Sequence, residues 1–314
     1  MNKVWELRCG GASARLVPGA GGRVSALRLC RANGNAVDVL HPYPEDFFDP
    51  IRWAKGGIYP LIPYSNRIAH AQLQVAGHAV ALAPHPDSLP HSLHGNAHTQ
   101  AWQIVPENAT SATMTLDCPA SAAWPWHYAA SMRVQLAETE LRITMTLRNS
   151  DSRVMPAGIG LHPYLRHEPG ALVGYRATTV WPPTAEFLPG APRPPLPEEL
   201  YAPAHALPPD GLTHYLGGWD GVVTTDLPGA LSGNLPDSQT DGAQLQITAD
   251  AVFGHLVVHR PDNLAYLCLE PVSHVANGFN LAAQGVGNTG THLFAPGETL
   301  AGTISFKILE QGTY

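Results

Sequence analysis

The chain has no block of lysine and arginine. Its 18 basic residues are outnumbered by 25 acidic ones, the formal charge is -7, and aromatic residues do not alternate with basic ones. Such a surface repels phosphate backbones, so nucleic acid is not an expected partner. Long apolar runs are missing too. Nowhere do about 18 consecutive apolar residues occur, so no segment reads as a membrane span and no membrane partner is expected. The opening Met1-Asn2-Lys3-Val4-Trp5-Glu6 carries no apolar stretch of the kind a signal peptide needs. Cysteine is scarce, and Cys9, Cys30, Cys118 and Cys268 lie far apart without a CxxC pair. They read as free thiols in a reducing cytoplasm rather than as a disulfide framework. Helical periodicity is absent as well: no window of helical length shows a 3.6-residue period, and no internal repeat is visible.

Proline, glycine and histidine are what the sequence has in quantity. With 30 prolines, 30 glycines and 16 histidines in 314 residues, long helices are interrupted everywhere. Between the interruptions, period-two alternation recurs. Ala112–Leu116, Leu141–Leu147, Leu245–Ile247, His255–His259 and Thr303–Ile308 all read as half-buried strands. Strands separated by turns, without intervening helices, predict an all-β chain of antiparallel sheets packed as a large β-sandwich with few short helices. The proline-rich stretch Pro182–Pro209 reads as an ordered or semi-ordered loop on one sandwich rather than a linker. Leu227–Asp241 reads as an exposed loop.

Glu270 is the most informative single residue. It ends the run Leu267-Cys268-Leu269-Glu270-Pro271-Val272, which reads as a buried strand that Pro271 terminates. Carboxylates are seldom placed so deep unless paired or used. Two histidines sit in equally pointed contexts, His94 in Ser-Leu-His-Gly-Asn and His162 in Gly-Ile-Gly-Leu-His-Pro-Tyr-Leu. A lone histidine on an apolar strand is more often a satisfied core residue. One carboxylate with two imidazoles, however, forms a set that can move protons near neutral pH. Arg67 follows the glycine-opened, proline-stiffened loop Gly56–Ser65 and Asn66. It can aim a fork of donors at sugar hydroxyls or a carboxylate, or it can be a surface arginine beside a tight turn. His85, His91, His94 and His98 crowd one segment, but its prolines and Gly95 break the helical spacing a metal site uses, so no metal is expected.

In order along the chain, Pro-Tyr-Ser-Asn-Arg-Ile, Leu-His-Gly, Gly-Leu-His-Pro-Tyr and Glu-Pro-Val followed by Asn-Gly-Phe-Asn resemble the aldose 1-epimerase (galactose mutarotase-like) family. The resemblance runs from about Val4 to Ile308, and four motifs in sequence make it specific. It implies one domain over residues 1–314, with a sugar site on a concave sheet and interconversion of α and β anomers of an aldose without a cofactor. By the same resemblance Glu270 is the general base, His162 the general acid and His94 a second imidazole near the ring oxygen. Arg67, Asn66, Thr213 and Trp219 are then substrate-binding, and the protein is a monomer or weak homodimer acting on a monosaccharide.

The sequence departs from the family at Thr213, where an Asp is expected, with Asp210 or Asp220 as possible substitutes. A hydroxyl cannot accept from two sugar hydroxyls as a carboxylate does. Two other functions stay open: a hexose-6-phosphate 1-epimerase, which would call on cations such as Arg23, Arg28, Arg52 or Arg166, and a non-catalytic carbohydrate-binding protein of the same fold.

Overall fold

A computed structural model describes residues 3–228, 243–262 and 264–309. Most of the second loop expected from the sequence, Leu227–Asp241, lies outside the described residues. Among the described residues there is one α-helix, Gly278–Ala283, alongside short 3-10 turns; the remaining regular structure is strand. Every strand pairing is antiparallel, apart from one isolated parallel bridge between Ile62 and Gly95.

Three sheets make up the body. A nine-stranded sheet runs from Gln103–Asn108 at one edge, through Glu140–Asn149 and Thr299–Leu309, to Tyr201–Ala206 at the other. A six-stranded sheet takes Trp5–Cys9, Ala12–Val17, Arg23–Cys30, Ala36–Asp38, Ile58–Pro60 and Leu161–Pro163. A five-stranded sheet orders Leu165–Arg166, Tyr266–Val272, His255–Arg260, Leu212–Gly217 and Thr179–Trp181.

Alternation explains the packing. Along Glu140–Asn149, Leu141, Ile143, Met145 and Leu147 are fully buried, while Arg142 and Arg148 face water. The pleat sends successive side chains to opposite faces, so every second residue meets the core. One buried cluster joins these residues to Leu16 and Val24 of the six-stranded sheet and to Leu256, Val258, Leu267 and Leu269 of the five-stranded sheet.

The strand Tyr266–Val272 is buried along its whole length because both of its faces are covered. Leu267 and Leu269 enter the main core. Tyr266, Cys268 and Val272 join a second cluster on the opposite face, with Trp53, Tyr59, Tyr164, Tyr215 and Val257. The near-continuous apolar run seen in the sequence has this cause.

Two expectations need correction. Pro271 does not end the ladder: it pairs with Leu256, and Val272 pairs with His255. The amide of Ser273 points to Ile159, away from the His255–Arg260 strand. By alternation residue 271 would point the same way, so the hydrogen proline lacks is not one that pairing requires. The Pro182–Pro209 stretch is not loop throughout, since Tyr201–Ala206 forms the edge strand of the nine-stranded sheet against Leu172–Tyr175.

Candidate active site

Register brings the site together. On the second face of the five-stranded sheet, Glu270 stands opposite Val257, Val257 opposite Tyr215, and His259 opposite both Thr213 and Cys268. All of these but Cys268 line one cavity of about 220 Å³. The strand Leu161–Pro163 delivers His162 to the same cavity, paired with Tyr59 of Ile58–Pro60. The approach of this segment to the Glu270 strand depends on Gly160, which bridges to Val272. A Cβ there would meet Val272 Cγ1 at 2.7 Å and the Pro271 carbonyl at 2.9 Å.

His162 Nε2 lies 3.3 Å from Glu270 Oε1, and both side chains are almost wholly buried. The other polar atom of each, His162 Nδ1 and Glu270 Oε2, has no hydrogen-bond partner in the protein. The imidazole stacks nearly parallel against two neighbouring tyrosine rings, Tyr59 at 4.7 Å and Tyr164 at 4.6 Å between centroids, which lie 6.3 Å from each other.

Mutual attraction favours the charged forms of this pair and burial the neutral ones. Burial prevails. It pushes the Glu270 carboxyl up to about 8. Burial, then the positive charge of Lys55, holds His162 well below the usual imidazole range. Both shifts favour the neutral forms, a carboxylic acid against an imidazole.

His94 is placed by the loop after Ser92–Leu93. Its backbone is left-handed, with φ of 61°, and Gly95 follows at 68°. A Cβ at residue 95 would collide with the Ile62 carbonyl, so glycine is required there. His94 Nδ1 accepts the Asn66 amide at 3.0 Å, which leaves its proton on Nε2. The ring lies 5.3 Å from His162, edge-on. Burial, followed by the nearby His162, keeps His94 well below its ordinary pKa, so it is neutral.

Arg67 and Asn66 line the cavity. The guanidinium of Arg67 sits 4.8 Å from the centroid of Phe187, on the proline-rich loop. That loop is pinned by the Tyr215 hydroxyl, which donates to the Phe187 carbonyl at 2.9 Å. Thr213 Oγ1 lies 2.9 Å from His259 Nδ1.

Among the residues expected from sequence, Trp219 is the exception. It packs in the main core and donates its indole N–H to the Val222 carbonyl at 2.9 Å, outside the cavity lining. Neither Asp210 nor Asp220 lines the cavity in place of the expected Asp, and neither do Arg23, Arg28, Arg52 and Arg166. Arg28 pairs with Asp38, Arg52 faces Asp87, and Arg23 is buried against the rings of Tyr43 and Tyr59.

The cavity adds residues that sequence reasoning did not single out: Lys55, Trp53, Tyr59, Tyr164, Tyr215, His259 and Tyr266. Tyr59 and Tyr164 flank motifs already noticed. His259 was recoverable from strand alternation, but the face it occupies was not.

One group of potential metal donors exists among the described residues, His162, Cys268 and Glu270, within 4.8 Å of one another. Burial pushes the Cys268 thiol well up, so it keeps its proton and makes a poor ligand. The four histidines of the 85–98 segment do not form such a group.

The Aldose 1-epimerase family model matches residues 3–307, and the chain belongs to that family. A putative aldose 1-epimerase from Escherichia coli K12 superposes with a TM-score of 0.83 at 19% identity, over 98% of this chain and 99% of that one. A galactose mutarotase-like protein from Clostridium acetobutylicum gives 0.77 at 16% identity, over 99% and 96%. In sequence the chain is 23% identical to the uncharacterized protein YphB of Escherichia coli K12, over 80% of this chain and 83% of that protein. It is 34% identical to YihR of the same organism over 33% of this chain.

Proposed function

We propose that the protein interconverts the α and β anomers of an aldose by acid/base ring opening and reclosure, without a cofactor. The observation that carries this reading is the 3.3 Å contact between His162 Nε2 and Glu270 Oε1 inside a buried cavity.

Opening a pyranose removes a proton from the anomeric hydroxyl and gives one to the ring oxygen. Both oxygens are bonded to one carbon, so the acid and the base must converge on a small volume, as this pair does. Glu270 takes the hydroxyl proton, His162 supplies the other, and the Nε2–H of His94 donates towards the ring oxygen. After the aldehyde rotates, the ring recloses with the transfers reversed. Arg67, Asn66 and Thr213 hold sugar hydroxyls.

The neutral resting pair does not obstruct this scheme. Carboxylic acid plus imidazole contains the same number of protons as carboxylate plus imidazolium. Moving one proton along the contact converts one form to the other without exchange with water. Hydroxyls donated to Glu270 by the bound sugar replace its missing hydrogen bonds and favour the carboxylate. The faces of Tyr59 and Tyr164 favour the imidazolium.

The reading places the protein in the cytoplasm, consistent with four unpaired cysteines. Every group the scheme uses comes from one chain, consistent with a monomer or weak dimer.

Glu270→Gln is the test. It keeps the shape and removes the base, and is expected to lower the anomer exchange rate, followed by NMR saturation transfer, by about a hundred- to ten-thousand-fold. Near-wild-type exchange in a folded variant overturns the assignment. Sugar binding by the wild type without faster exchange would instead define a carbohydrate-binding protein.

A further inference from the structure

A neutral aldose offers donors and acceptors in equal supply, and the cavity wall is not balanced to receive one. Glu270 is the one carboxylate among its lining residues, and it is the reacting group. Two cations, Lys55 and Arg67, line the same cavity. Neither has a carboxylate within ion-pair distance among the described residues. Each is held instead against an aromatic face: Lys55 Nζ lies 4.5 Å from the Trp53 ring, and Arg67 Cζ lies 4.8 Å from Phe187. An aromatic face steadies a cation without cancelling its charge, so the positive potential remains available to a ligand. The two charges act on a common volume, since both depress His94 and His259.

Composition sharpens the point. The chain has three lysines, Lys3, Lys55 and Lys307, and uses arginine for its other fixed cations. The lysine at the cavity is solvent-accessible at its mouth, while Glu270 and His162 lie buried within. A flexible ammonium with three donors suits an oxyanion group on a substituent that projects outwards.

A second feature acts in the same direction. Where the family resemblance leads one to expect an aspartate, the wall carries Thr213, turned to His259. The cation Lys55 and a threonine in place of the expected carboxylate together reduce the repulsion that an acidic substrate would meet. Specificity is set by such repulsive terms as much as by attraction.

We propose that the cavity takes an aldose bearing an anionic substituent remote from the anomeric carbon, a carboxylate, sulfonate or phosphate, bound by Lys55, with the charge of Arg67, which holds a sugar hydroxyl, adding to the positive potential. This narrows the anomer-exchange reading to a substrate class and rests on it. The anomeric end enters towards Glu270, and the acidic end stays at the mouth.

The test compares glucose with its 6-carboxylate, 6-sulfonate and 6-phosphate analogues by NMR anomer exchange, each corrected for its rate in enzyme-free buffer. At least one acidic sugar is expected to exceed glucose in kcat/KM by about tenfold or more, the range of a charge-assisted hydrogen bond. Lys55→Met is expected to reduce that ratio by a similar factor, chiefly through KM, and Lys55→Arg to retain most of it. Glucose equal to or better than all three acidic sugars overturns the proposal, as does a preference that survives in Lys55→Met. If no sugar exchanges faster than in buffer, the anomer-exchange reading falls, and calorimetry decides the subsite separately. Lys55-dependent binding of an acidic sugar upholds it; its absence overturns it.

Discussion

His94 and Asn66 hold each other by a reciprocal pair of hydrogen bonds. The Asn66 amide donates to His94 Nδ1 at 3.0 Å, and the His94 amide donates to the Asn66 carbonyl at 2.9 Å. The first bond fixes the tautomer and the second fixes the backbone, so His94 presents Nε2–H and nothing else to the cavity. A residue locked in that state serves as a donor and not as a proton shuttle. Replacing it with Gln retains a donor at reduced reach. We expect His94→Gln to lower kcat about ten- to a hundredfold while leaving both limbs of the pH profile in place, measured by NMR exchange from pH 5 to 9. Movement of either limb would give His94 a titrating role.

The pH profile follows from the proton count of the His162–Glu270 pair. The working pair holds one proton. With Glu270 pushed up to about 8 and His162 held low by burial, that proton is retained through neutral pH. We therefore expect kcat/KM, after subtraction of the buffer rate, to be flat around neutrality and to fall as pH rises through about 8. A rate that climbs through 8 would mean that Glu270 acts alone, without a proton on its partner.

Stability should move in the opposite sense to activity at residue 270. A carboxyl whose folded pKa lies above its unfolded value stabilises fully below the unfolded pKa and loses that contribution as pH rises through the folded one. For Glu270 the window runs from the ordinary carboxyl value of 4.5 to about 8. Glutamine never ionises, so Glu270→Gln should unfold at a higher temperature than the wild type at pH 8, by up to a few kcal/mol in stability. The gap should close towards pH 4.5. Thermal melts across this range decide it, and a gap independent of pH would sink the account.

The two tyrosines around His162 should matter through their faces rather than their hydroxyls. Tyr164→Phe keeps the ring and is expected to stay within about threefold of wild type. Tyr164→Leu removes it and should cost about tenfold in kcat, the scale of one buried cation–π contact. Equal losses in the two variants would assign the effect to the hydroxyl.

The period-two pattern made the sandwich readable, because an antiparallel strand records its buried face directly in the sequence. The residues of the proposed acid/base set stood out for a related reason. Glu270 and His162 each interrupt a segment rich in apolar residues, glycine and proline, and His94 stood out by the glycine that follows it. Trp219 misled because an aromatic beside a motif serves a core equally well, and its indole N–H found a backbone acceptor. Lys55 stayed hidden because it lies on a bend between strands, where no alternation reports direction. Thr213 was visible, but its partner His259 depended on cross-strand register, which the local pattern does not encode. The charge of the central pair could not be settled either, since desolvation and attraction oppose each other and only depth of burial decides between them.

The strand that carries Glu270 also carries Leu267 and Leu269 into the main core, whereas Lys55 and Phe187 reach the cavity from connections outside the sheets. The strand under the site is thus part of the main core, whereas part of the cavity wall is not. Changes in those connections can therefore reshape the cavity wall while leaving the strand that carries Glu270 in place.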